Sequence, residues 1–310
     1  MGAVALLAGC DEPGGAEFLE GNEPPSADEW AGPMLDGGFG SRLAGTADRV
    51  WAASPFADRV DELGPAGSLQ NPLTGESGSF FGSGLAIVDG ALAIGAPGRG
   101  EVLVGGKVVA TLPGMGGVLA AEGARWVAST PSGWRASDST PGTLGVRPSA
   151  LAWLGDEVLA GSALGETALW AGSPPVGTPR EQAYDERGYA LVVCPDANGQ
   201  PLAWAGAPGA GTIVPAGGAP VGPGTGRFGA AMACGSEAGV LWVGAPGADA
   251  HAGALYRVEG AEAVQVLAGA PGDELGTAVL LAGGRVFVGA PGKADATGRV
   301  IATPESELAP

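Results

Sequence analysis

Histidine, lysine and cysteine are almost missing from this chain. Its 310 residues hold one histidine, three cysteines and two lysines, Lys107 and Lys293. A single histidine, His251, argues against a Ser-His-Asp triad or a histidine-based metal site, and it reads as a surface loop residue beside Asp249. Acids outnumber bases 33 to 15, for a net charge of −18. No basic run exists to hold phosphates, so nucleic acid is not expected as a partner. Long apolar runs are lacking as well, and nothing after the first ten residues is a candidate membrane span. What abounds is glycine (59) and proline (26), beside a hydrophobic fraction of 45%. Disordered chains lack that apolar content. Many short buried strands between tight turns account for both.

The sequence repeats itself. Each unit opens on a Phe-Gly-like pair, runs through about six apolar residues, turns, and ends a second apolar run on a Gly-Ala-Pro-like triplet. The pairs read Phe39-Gly40, Phe81-Gly82, Met115-Gly116, Leu144-Gly145, Gly188-Tyr189, Phe228-Gly229 and Leu275-Gly276. The triplets end at Pro55, Pro97, Pro131, Ala163, Pro208, Pro246 and Pro291, a loose period of about 40 that suits four-stranded propeller blades. The fourth unit has lost both its aromatic and its proline. Gly269-Ala270-Pro271 mimics a further triplet, but Leu275-Gly276 follows so closely that it reads as a loop. Trp51, Trp126, Trp204 and Trp242 recur on second strands, which predicts packing between blades.

The fold class expected is all-β: a seven-bladed propeller of four-stranded antiparallel blades. Only Pro304–Pro310 follow the third strand of the last unit, so its edge needs a partner. The stretch Ala27–Ala31 is predicted to supply that strand and fasten the ring.

Phe-Gly followed by Gly-Ala-Pro, repeated along residues 27–310, resembles the FG-GAP repeats of integrin α-subunit heads. The resemblance implies a propeller that recognises an extracellular protein or glycan. Members of that family often carry an Asp-rich calcium loop after the triplet. Here the loops read Gly98-Arg99-Gly100, Gly209-Ala210-Gly211, Gly247-Ala248-Asp249-Ala250-His251 and Gly292-Lys293-Ala294-Asp295. None has more than one acid, so no metal or other cofactor is expected.

Leu7-Ala8-Gly9-Cys10 resembles a bacterial lipobox. That implies lipidation at Cys10, export, and a cell-envelope location, with residues 1–10 as a signal shortened at its start and 11–26 as a tether. The membrane would be met through the lipid alone. Cys194 and Cys234 each lie seven residues beyond an arginine, Arg187 and Arg227, at matched ends of inner strands. They read as a disulfide between neighbouring blades or as two buried thiols. The expected function is a non-catalytic, adhesion-like binding module for an envelope or extracellular protein or glycan. The alternatives are a hydrolase or lyase using a carboxylate pair in the funnel, and a structural scaffold without a discrete ligand.

Overall fold

A computed structural model describes residues 28–163, 185–292 and 297–308. Cys10 and the tether 11–26 lie outside these residues.

The protein is an all-β propeller of antiparallel blades. Among the described residues five sheets have four strands, a sixth has three and another has two. In the four-stranded sheets the strands follow one another in chain order, except in the last. There Asp28–Ala31 lies beside Arg299–Pro304, with Asp28 opposite Ala302 and Ala31 opposite Arg299. The three-stranded sheet, from Leu191–Pro195 to Thr212–Pro215, gains a bridge from Val221 to Ile213. The two described strands of the fourth unit, Ala150–Leu154 and Glu157–Gly161, pair with each other, and residues 164–184 after them lie outside the described ones.

Cores form between sheets rather than within one. Trp51 and Val60 of the first sheet pack with Leu85, Leu92 and Ile94 of the second. Trp242 of the sixth packs with Val286 and Val288 of the last. Both faces of a second strand are therefore covered, which is why Val240–Ala245 is buried at every position. Trp51, Trp126 and Trp242 are buried in such cores, while Trp204 is only half-buried.

The pair and the triplet meet across blades. A Cβ on Gly289, in the last triplet, would overlap the carbonyl oxygen of Gly40, in the first pair. The same contact recurs for Gly95 on Gly116, Gly161 on Gly188, Gly206 on Gly229 and Gly244 on Gly276. Each pair glycine also has positive φ, +85° at Gly40 and +98° at Gly116, a region that favours glycine. Its N–H donates to its own second strand, as from Gly40 to Ala53 at 3.1 Å and Gly276 to Gly289 at 3.0 Å. The repeated glycines thus serve backbone-to-backbone packing of adjacent blades.

Two pairs differ from the sequence expectation. In the fifth unit the pair glycine is Gly188, with φ +93° and an N–H donated to Gly206, so the pair is Arg187-Gly188 and not Gly188-Tyr189. In the fourth, Ala150 stands opposite Gly161. By the spacing of the other units that register puts Pro148 where the pair glycine stands elsewhere. Gly145 has open space around it. Proline has no N–H to donate, and the triplet glycine of the preceding unit is correspondingly replaced by Ser129.

Candidate functional site

The strand ends define two faces. Asp28 stands beside Arg285 (2.7 Å, an ion pair), at the end of the last sheet where its first two strands turn at Gly283-Gly284. Ala31 is at the other end, where Gly32 donates to the Gly298 carbonyl at 3.0 Å. The chain thus enters the described structure on the face of the first-to-second-strand turns. Its pairs and triplets lie on the opposite face.

That opposite face carries an exposed apolar cluster over the first two sheets. Phe56 is 71% exposed and Leu35 70%, with Met34 at 49% and Phe80 at 45%. Phe56 and Phe80 meet edge to face, with ring centroids 6.5 Å apart. The loop bearing Met34 and Leu35 is tied to them, since the Phe56 N–H donates to the Gly37 carbonyl (3.3 Å). Single exposed apolar residues are ordinary, but two phenylalanines in mutual contact with a neighbouring loop are not.

Phe80 is also held against its backbone preference. The residue before a pair glycine's partner has positive φ in most units, and Gly38, Gly114, Glu186, Arg227 and Glu274 occupy it elsewhere. In the second unit the occupant is Phe80, at φ +53°. A left-handed L-residue costs about 1–2 kcal/mol, a cost that Phe80 shares with Glu186, Arg227 and Glu274 because the turn before each pair requires it. Asp58 holds the loop in place. Its carboxylate accepts from the N–H of Gly78 (2.7 Å), the Ser79 hydroxyl (2.8 Å) and the N–H of Phe81 (3.1 Å). Burial pushes the Asp58 carboxyl up, but these donors together outweigh it and hold its pKa below the ordinary value.

The axial channel is a second candidate. It encloses about 510 Å³ and is lined by the inner strands, through Leu43, Leu85, Ile87, Leu119, Leu151 and Leu191 among others. Among the described residues Glu122 is the one acid in its lining, so these residues alone do not assemble a carboxylate pair there.

Other sequence-marked residues fall as follows. Cys194 and Cys234 form a disulfide with Cα atoms 5.4 Å apart, joining the inner strands of the fifth and sixth sheets. His251 is exposed in its loop, 3.9 Å from a Glu274 oxygen. In the loop where the FG-GAP resemblance would place calcium, Arg99 pairs with Glu101 (3.3 Å) and Glu76. A guanidinium in that loop does not fit a cation site. Among the described residues no three His, Cys, Asp or Glu side chains converge as metal ligands.

No family model and no curated protein matches the sequence. Solved structures do match. A streptogramin B lyase is 13% identical over 89% of this chain and 97% of its own, with a TM-score of 0.66. Virginiamycin B lyase from Staphylococcus aureus is 14% identical over 89% and 98%, at 0.65. YCF48 bound to D1 peptide is 15% identical over 92% and 96%, at 0.58. Likeness at this level shows the β-propeller fold.

The cluster at Phe56 and Phe80 was missed by sequence reasoning. Phe80-Phe81-Gly82 carries one aromatic more than the repeat requires, and that surplus was the available signal.

Proposed function

We propose that the chain is an exported, lipid-anchored binding module without catalytic activity. Its propeller is of the FG-GAP kind and has seven blades. The two-stranded fourth sheet counts as one of them, and Asp28–Ala31 closes the ring. The face bearing Phe56 and Phe80 recognises an envelope or extracellular protein, or a glycan.

The observation that carries this reading is the paired exposure of Phe56 and Phe80, in mutual contact on the face opposite the point where the chain enters. A tether from Cys10 would then leave that surface pointing away from the membrane. The exposed Met34 and Leu35 on the loop tied to Phe56 add apolar surface of the kind that protein partners cover. YCF48 was solved with a peptide bound, so a propeller of this size can take a peptide partner. A lyase shares the fold as well, but the single acid among the described residues of the channel wall gives no support to a carboxylate-pair enzyme here. The scaffold reading leaves the exposed cluster unexplained.

The test is cross-linking on intact cells with the native chain, Cys10→Ser and Phe56→Ser/Phe80→Gly. One partner should be captured by the native chain and lost from the double variant. Equal capture by both would sink the assignment of this face. Phe80→Gly alone should raise stability by about 1 kcal/mol in chemical unfolding, since it removes left-handed strain.

A further inference from the structure

The face where the chain enters carries a separate cleft between the fifth and sixth sheets. It encloses about 330 Å³, within the ~300–1,000 Å³ typical of small-molecule sites. Its apolar wall comes from Leu202, Trp204, Val240 and Leu241, with Cys194 of the disulfide beside them. The two sheets are joined at its edge, where the Gly239 N–H donates to the Pro195 carbonyl at 2.9 Å. The walls are thus fixed by covalent and backbone links, and a ligand would not have to order them.

Among the described residues, the lining holds two carboxylates, Asp196 and Glu259, and no Lys, Arg or His. Glu259 is already paired with Arg257 at 2.7 Å. Asp196 is pinned by its own turn, because Oδ1 accepts from the N–H of Asn198 (2.8 Å) and Gln200 (2.9 Å). Those same donors lower its pKa below the ordinary value, led by Gln200 and then Asn198. An apolar pocket with an indole on its wall and a fixed, ionised carboxylate at its rim is complementary to one ligand class.

We infer that this cleft binds a small organic cation, with a hydrophobic body against Trp204 and Leu202 and an ammonium or guanidinium group at Asp196. The assignment does not depend on the apolar face proposed above.

The probes are 2-phenylethylammonium and 2-phenylethanol, which match in shape and differ in charge. Titrations followed by saturation-transfer NMR on the folded chain should show saturable binding of the ammonium, at least tenfold tighter than of the alcohol. Asp196→Asn keeps an oxygen for the turn, and it should bring the ammonium to the level of the alcohol. Trp204→Leu should weaken both probes. Equal affinity for the two probes, no saturable binding of either, or ammonium binding unchanged in Asp196→Asn would each overturn the assignment.

Discussion

The junction between the last sheet and the first differs from that between the third and the fourth. At the former, Gly289 lies against the backbone of Gly40, with no room for a methyl group. At the latter, the triplet position is Ser129, and counting back from Ala150 opposite Gly161 puts Pro148 at the pair-glycine position of the fourth unit. Ser129 turns its hydroxyl back to accept from the Val118 N–H at 2.9 Å. Side chains take over between the sheets. Arg125 of the third stacks on Trp153 of the fourth, 4.4 Å from the ring centroid, and reaches Asp156 at 2.9 Å. Val127, Leu151 and Ala160 complete the seam. The comparison teaches what the repeated glycines are for. Two glycines let neighbouring backbones touch, and where they are lost the blades are held by packing and charge instead.

The strongest way to break this comparison is to add one methyl group at a glycine junction and one at a glycine with no neighbouring backbone. Gly289→Ala should cost about 3 kcal/mol or more, because backbone cannot retreat from backbone as a flexible side chain can. Gly145→Ala meets open space and should cost about 1 kcal/mol, from its φ of +83° alone. Urea unfolding of the two variants measures both. Equal losses would show that the glycine contact is not what joins the blades.

The fifth and sixth sheets have both devices, the glycine contact of Gly206 with Gly229 and the disulfide. Closing a loop with a sequence separation of 40 should stabilise by about 2–4 kcal/mol. Cys194→Ala/Cys234→Ala should lose that amount under oxidising conditions and behave like the native chain in reductant. A loss that persists in reductant would assign the effect to packing around the inner strands. Arg125→Ala comes next, at about 1 kcal/mol, because its guanidinium spans two sheets over an indole. Arg49→Ala should cost less, since Arg49 stacks on Trp51 within one sheet, at 4.6 Å. Thermal unfolding of the two variants in low and high salt checks the order.

Much of this architecture was legible in the sequence, for a physical reason. A contact that only glycine can make leaves a glycine in the sequence, and a strand covered on both faces leaves an apolar run. Both marks recur, so the four-stranded antiparallel propeller could be read. The register was misread where glycine is plentiful or absent. Gly188 has Tyr189 beside it, which imitates a reversed pair, although positive φ and the hydrogen bond to Gly206 make Arg187-Gly188 the pair. In the fourth unit Gly145 was the nearest glycine, but the strand pairing places Pro148 at that position. The candidate site was less legible. Exposure of Phe56 depends on which way a short loop turns, and the sign of φ at Phe80 is not written in its residue type. The cleft at Trp204 was hidden too, because its walls come from three turns distant in sequence.

The smallest expected effect concerns Arg49 again, through its partner. Two bonds of 2.7 Å from Arg49 hold the Glu62 carboxyl down at about 2, against partial burial and with help from the Asn71 amide at 2.8 Å. A pKa depressed on folding adds stability that is complete above the ordinary carboxylate range and is lost as pH falls through the folded value. The window therefore runs from roughly 4.5 down to about 2. Because Arg49 is 54% exposed, solvent screening limits the contribution to about 1 kcal/mol or less. Glu62→Gln should flatten the acid limb of the stability curve by that amount and leave stability at neutral pH lower by the same amount. An unchanged acid limb would mean that this ion pair contributes nothing. The first sheet, already joined to the last by Gly40 and Gly289, would then need no charge to keep its place, in contrast to the seam that Arg125 spans.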